Sequence, residues 1–248
     1  MLKKRKSNSL VLEVIVAIIL ILYILFLYMD FYNVRWLISS NYIKYLCILL
    51  CFLLSIVSNK NSILDIAKHR DIFLLRLALF ITVMADLCLL VLDFYVFGVF
   101  LFLLVQITYS VRYSTKRLKT TLLFFFITLQ FVVLTYIITI LFIAKINILI
   151  PISLFYFICL ITSVSKAIKA CKNNLYPSPN KYMVVIGMVL FLLCDLCVAL
   201  SNVTSTLTST AYFIIRFQQI SWFLIWVFYI PSQLLLALSG RYKSKLIE

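Results

Sequence analysis

The sequence predicts an all-α polytopic membrane protein with eight transmembrane helices, and it admits a plan of two parallel four-helix repeats. Three observations predict this. The 248-residue chain is 65% hydrophobic and 12% charged, with a mean hydropathy of +1.14. A soluble domain is about 45–50% apolar, so one interior cannot hold this excess and the bilayer must solvate much of the surface. Eight apolar runs approach the roughly 20 helical residues that cross a hydrocarbon core of about 30 Å. Basic residues also concentrate in alternate connections between those runs.

The first span, 10–29, follows Lys3, Lys4, Arg5 and Lys6 and lacks a small-residue cleavage site. It reads as a retained anchor, not a signal peptide. The second, 42–58, is short. The third, 72–92, and fourth, 94–111, nearly touch across Leu92-Asp93-Phe94-Tyr95, which demands a tight hairpin. The fifth and sixth are 121–143 and 147–165. A polar loop at 166–182 follows, in which Pro177 and Pro179 stop helix formation. The seventh span is 183–200, and a Ser/Thr-rich loop covers 201–218. The eighth, 219–238, contains Pro231, which removes a backbone donor and predicts a kink. No soluble domain is visible, so residues 1–248 read as one integral membrane domain.

Under this assignment one side carries the N-terminal basic cluster, Lys60, Lys68 and Arg70, then Arg112, Lys116, Arg117 and Lys119, then Lys166, Lys169, Lys172 and Lys181, and finally Arg241, Lys243 and Lys245. The other side carries only Arg35, Lys44, Lys145 and Arg216. The positive-inside rule therefore predicts a multi-pass protein of the cell membrane with both termini in the cytoplasm. The same asymmetry accounts for the net charge of +15 through orientation and contact with anionic headgroups. No nucleic-acid partner is needed.

Six of the seven cysteines (Cys47, Cys51, Cys88, Cys159, Cys194 and Cys197) fall in apolar runs, where cysteine packs as a small hydrophobe. No ligand spacing accompanies Cys194 and Cys197, so no metal is expected. His69, the single histidine, reads as a solvated loop residue, which leaves no Ser-His-Asp triad inside the membrane. Gly-x-Ser-x-Gly, His-Glu-x-x-His and phosphate-loop patterns are absent. Any chemistry must rest on carboxylates assisted by Lys, Tyr, Gln or Cys.

Two aspartates supply such carboxylates. "VMADLCLLVLD" places Asp86 in the third span, and "LLCDLCVALS" repeats the Asp-Leu-Cys triplet around Asp195 in the seventh. An ionisable group inside a span costs roughly 2.5–3.5 kcal/mol on insertion scales and usually faces the bundle interior. Gln106 and Gln233 follow in the fourth and eighth spans. The pattern suggests halves of 1–116 and 117–248, running in the same sense. Each aspartate lies about six residues, roughly 9 Å, from the outer end of its predicted span. Two carboxylates at one depth can face each other. The plainer reading is a helix-helix hydrogen bond for each, and for the two glutamines such bonding is the stronger reading. Asp93, two turns beyond Asp86, reads as a solvated cap.

These segments carry a resemblance. The chain resembles the YhhN-like lysoplasmalogenase family of eight-span membrane proteins. "MADLCLLVL" is similar to its first aspartate motif through Asp86, with Ala85 where glycine is usual. "GMVLFLLCDLCVAL" is similar to the second through Gly187, Phe191, Asp195 and Ala199, with Cys194 in the serine position. "FGVFLFLLVQITYSVRY" matches through Gly98, Phe102 and Tyr109, and "WVFYIPSQLLLALS" through Tyr229, Gln233, Leu234 and Ser239. Lys44 stands where the family often has Lys-Pro, with Tyr45 replacing the proline. Gln106 occupies a position where the family commonly carries histidine.

The resemblance implies an ether hydrolase whose substrate is an alkenyl lysophospholipid within membrane lipid. The products would be a fatty aldehyde and a glycerophospho-alcohol. It implies Asp86 and Asp195 as catalytic residues, and Gln106, Tyr109, Tyr229, Gln233 and Lys44 as substrate-positioning residues, with no cofactor. Vinyl ethers hydrolyse through protonation at carbon and an oxocarbenium ion, so one neutral carboxyl and one carboxylate divide the work as in glycosidases. The sequence leaves open which aspartate does which, and the oligomeric state. A proton-coupled transporter or lipid-handling protein is the alternative reading, and a membrane scaffold with purely structural aspartates is a third.

Overall fold

The computed structural model describes residues 2–32, 39–57, 66–114, 118–142, 147–206 and 212–241. Among them lie eight helices and no strand: α1 (Leu2–Tyr32), α2 (Ser40–Val57), α3 (Ile66–Leu90), α4 (Tyr95–Arg112), α5 (Leu118–Phe142), α6 (Leu149–Lys172), α7 (Asn180–Thr206) and α8 (Tyr212–Leu238). Each contains a stretch long and apolar enough to cross a membrane. The chain is therefore an all-α, multi-pass membrane protein, as expected. Arg35, Lys60, Lys116, Arg117, Lys145, Lys243 and Lys245, which entered the orientation argument, lie outside the described residues, as do the side chains of Lys3, Lys4, Arg5, Lys6 and Lys68.

The helices extend past their apolar windows. α3 begins at Ile66, so His69 is an exposed helix residue and not a loop residue. α6 continues to Lys172, which removes half of the loop expected at 166–182. Lys and Arg are good helix formers, and backbone hydrogen bonding does not stop where hydropathy falls. What ends α6 is a Schellman closure. Asn174 takes a left-handed φ of 49°, the Leu175 N–H donates to the Ala170 carbonyl at 2.9 Å, and the Asn174 N–H to Cys171 at 3.0 Å. The Ser/Thr-rich loop expected from 201 is likewise helical through Thr206, with Thr204 Oγ1 donating back to the Leu200 carbonyl at 2.9 Å. Two helix starts use side-chain acceptors: Ser39 Oγ takes the Asn41 N–H at 3.4 Å before α2, and Asn147 Oδ1 takes the Leu149 N–H at 3.0 Å before α6.

Packing divides the chain into two compact units, residues 61–181 and residues 1–60 with 182–248. The first holds α3 to α6, with α4 packed on α3, α5 and α6. Leu103, Phe125, Val132, Phe155 and Cys159 form one of its buried clusters. α5 turns only Thr121, Phe125 and Val132 inward. Its other apolar side chains are left for lipid to solvate.

The predicted α3–α4 hairpin closes at Asp93, whose φ of 56° is left-handed; the Phe94 N–H reaches the Cys88 carbonyl at 2.9 Å. A short polar side chain tolerates that conformation, and Asp93 is exposed, consistent with a capping role. The hairpin then needs Gly98. A Cβ there would lie 2.5 Å from Leu89 Cγ and 3.3 Å from the Ala85 carbonyl oxygen. Gly98→Ala should therefore destabilise the protein by about 1–3 kcal/mol, the usual range for overpacking. Thermal unfolding in detergent checks this; an unchanged midpoint would contradict it.

The second unit holds α1, α2, α7 and α8. α2 packs on α1 and α8, and α1 also touches α8. α7 is held to α8 where Ser232 Oγ donates to the Gly187 carbonyl at 2.8 Å, and a Cβ on Gly187 would lie 2.9 Å from Leu236 Cγ. α8 runs through Pro231 as one continuous helix. Proline has no N–H for the Val227 carbonyl one turn earlier. The Tyr23 phenol of α1 supplies the missing donor at 3.1 Å.

Candidate functional site

In the α3–α6 unit, Asp86 is 3% exposed and lies close to the end of α3. In the other unit, Asp195 is half-buried well inside α7, because polar residues beyond the apolar run keep that helix going to Thr206. The equal spacing from span ends expected from hydropathy is therefore not a property of the two helices.

Gln106 is fully buried on α4, with Oε1 2.7 Å from the Ser163 hydroxyl of α6. That hydroxyl also lies 2.8 Å from the Leu160 carbonyl, and its one proton serves one acceptor at a time. An amide bonded between helices is the bonding expected of a polar residue in a bundle. Gln106 Nε2 and Ser110 Oγ, one turn further along, are buried without a hydrogen-bond partner among the described residues. Tyr109, between them in sequence, stacks on Tyr113 with ring centres 5.9 Å apart and planes 6° from parallel.

That stack leads to an ion pair at the end of α4. The Arg112 side chain is completely buried, with Nε 2.9 Å from Asp71 Oδ1 and Nη2 3.1 Å from Oδ2. The Tyr176 hydroxyl donates to the same Oδ1 at 2.7 Å. The guanidinium faces the rings of Tyr113 and Tyr176 at 5.6 and 5.5 Å. Arg112 is thus no solvated loop charge. It ties α3, α4 and the α6–α7 connection together.

Burial pushes the phenols of Tyr113 and Tyr176 above their ordinary value of 10.0; Arg112 opposes the rise and Asp71 adds to it. The unfolded chain then ionises first. Their contribution is complete below pH 10 and is lost as pH rises beyond it. The melting temperature should fall on alkaline titration from about pH 10 upward, and Tyr176→Phe should flatten that fall. An equally steep decline in the variant would exclude Tyr176 as a source.

In the second unit, Lys44 is 3% exposed on α2 and pairs with Asp30 of α1, Nζ to Oδ2 2.7 Å. Its ammonium sits 4.6 Å from the Trp226 ring centre and 5.8 Å from that of Phe26. Trp226 meets Tyr229 edge-on at 5.7 Å, and Tyr229 meets Phe191 at 5.8 Å. Two predicted residues, Lys44 and Tyr229, are thereby joined through Trp226. Gln233, one turn beyond Tyr229, is fully buried, and both its amide atoms lack a hydrogen-bond partner among the described residues, as does Trp226 Nε1. An unmade bond of this kind costs about 1–3 kcal/mol. Such groups are places where water or the polar atoms of a ligand fit.

Asp30, Asp71, Trp226 and Tyr176 escaped the sequence reading. One signal was available. With eight acidic residues against 23 basic ones, each acid at a span end is a strong candidate partner for a base within a span.

The model of the YhhN family matches residues 39–240. The matched stretch contains Lys44, Asp86, Gln106, Tyr109, Asp195, Tyr229 and Gln233. No curated protein and no solved structure matches the chain.

Proposed function

This chain belongs to the YhhN family, and from that membership we propose that it is a lysoplasmalogenase-like hydrolase of the membrane. The proposed substrate is an alkenyl lysophospholipid, and the bond cleaved is its vinyl ether. The single observation that carries the reading is the family match across most of the chain, both aspartates included.

In the proposed reaction a carboxyl protonates the vinyl carbon beta to the ether oxygen, and the electrons of the double bond form the new C–H bond. The oxocarbenium ion that results is stabilised by a carboxylate. Water adds to the cationic carbon and gives up a proton. The hemiacetal then collapses, expelling the glycerol oxygen with a proton and leaving the aldehyde. The proposal gives the proton transfer and the counter-charge to Asp86 and Asp195. It gives Gln233 and Tyr229 the positioning of headgroup or water, which the unpartnered amide of Gln233 supports. Lys44 holds its place through Asp30 and the Trp226 face. Gln106 is bonded to Ser163, so its part is to orient α4 against α6 and only indirectly the substrate. The same proposal places both termini in the cytoplasm of a cell-membrane protein, following the basic residues.

The test uses the purified chain in detergent with a 1-alkenyl lysophospholipid, and its 1-acyl counterpart as control. Aldehyde release from the first substrate alone is the expected result. No aldehyde, together with flux of the lipid in liposomes, would replace the hydrolase with a transporter.

A further inference from the structure

Each of the two buried bases among the described residues comes with an acid. Arg112 has Asp71, and Lys44 has Asp30. Lys166, half-buried on α6, has neither. Its ammonium lies 2.8 Å from Thr121 Oγ1 of α5, 3.0 Å from Ser114 Oγ, and 5.8 Å from the Phe125 ring centre. Among the described residues, two hydroxyls and a ring face leave its charge uncompensated, and Lys169, one turn on, adds repulsion. Arg70 approaches the same point from α3, with Nη2 3.4 Å from the Ser114 carbonyl oxygen.

The protons can be counted. Ser114 gives its single proton to the Ser110 carbonyl at 2.6 Å, so its oxygen accepts from Lys166. Thr121, 3.1 Å from Ser114, also accepts from Lys166, and with the Ser114 proton committed its hydroxyl is the donor between the two. Lys166 and Arg70 thus bring two positive charges to one point beside the Ser114–Thr121 hydroxyl pair, with no carboxylate among their contacts within the described residues. A group that fits needs several acceptor oxygens and negative charge, which is the chemistry of a phosphate. Beyond Thr121, α5 exposes Leu122, Leu123, Phe124 and Phe126 at 45–57%. Hydrocarbon therefore lies next to the anion position, as it does in a phospholipid.

We infer that Lys166, Thr121, Ser114 and Arg70 form a binding site for the phosphate of an anionic phospholipid, whose acyl chains lie along the exposed apolar side of α5. The site is independent of the proposed hydrolysis and occupies the basic end of the α3–α6 unit. Its occupant supplies the counter-charge that Lys166 lacks among the described residues.

The test is native mass spectrometry of the full chain in mild detergent, titrated with dioleoylphosphatidylglycerol or dioleoylphosphatidylcholine. Wild type should retain one phosphatidylglycerol in preference to phosphatidylcholine. Lys166→Gln should weaken that binding about five- to tenfold, near the value of one basic group at a charged surface. Lys166→Arg should keep it. Lys169→Gln, at an exposed position, should change it less than about twofold. Thr121→Val should weaken it by a smaller factor, and it serves as the second probe should Lys166→Gln fail to fold. Equal binding of the two lipids would overturn the site. So would undiminished binding in the variants of Lys166 and Thr121, or an equal loss on removing Lys169. Displacement of the lipid by an equimolar amount of inorganic phosphate would overturn the lipid as occupant.

Discussion

Asp86→Asn and Asp195→Asn should each lower aldehyde release from an alkenyl lysophospholipid at least about a hundredfold, the lower end of what general acid-base groups contribute. The substitution keeps size and hydrogen-bonding capacity. It removes the ability to deliver a proton to carbon and to hold negative charge beside a cation. A helix contact would survive it; proton transfer would not. Melting temperature is the companion measurement: a structural aspartate would shift stability and leave the rate of the folded fraction intact. Activity retained in either variant would sink the two-aspartate mechanism. Asp86 is the sharper case, since it is buried within its helix unit.

The largest effect on stability is expected from Asp71→Asn. Asp71 neutralises a guanidinium with no access to water and accepts from both its Nε and its Nη2, with Tyr176 as a third donor. Asparagine keeps one acceptor oxygen but brings no charge, which strands Arg112 in its buried setting. Breaking one side of a buried pair typically costs about 3–5 kcal/mol. Chemical or thermal unfolding in detergent measures it. Replacing both partners with apolar residues of similar volume should recover much of the loss, because the cost arises from the orphaned charge and not from the missing attraction. A small effect of the single change would mean that water reaches Arg112.

All eight helices were legible in the sequence because crossing a bilayer leaves an unambiguous apolar run. Their ends were not. Hydropathy falls at Ile66–Asp71 and at Lys166–Lys172 while the backbone continues to hydrogen-bond, and only a left-handed residue such as Asn174 stops it. The aspartates were legible as polar interruptions, and the bonding of Gln106 to another helix followed from its chemistry. Arg112 was placed among the loop charges, and the ion pair of Lys44 was not foreseen, because Asp71 and Asp30 each lie on another helix. A pairing of that kind is a property of tertiary packing and leaves no local pattern. The repeat proposed for 1–116 and 117–248 is a statement about ancestry, and the grouping of helices by packing is a separate matter.

That grouping has a consequence for how the protein is made. α3 to α6 are consecutive, so their unit can close while the remaining chain is still on the ribosome. The other unit joins the first two helices to the last two. α1 and α2 leave the ribosome early and must wait in the bilayer until synthesis is nearly over. Only then does α8 arrive, with the Val227 carbonyl that Tyr23 was placed to meet. Helices that insert one by one and associate afterwards make such a delay workable. Premature termination after α6 would thus leave one unit whole and the other an unclosed helical pair, a natural mark for membrane quality control.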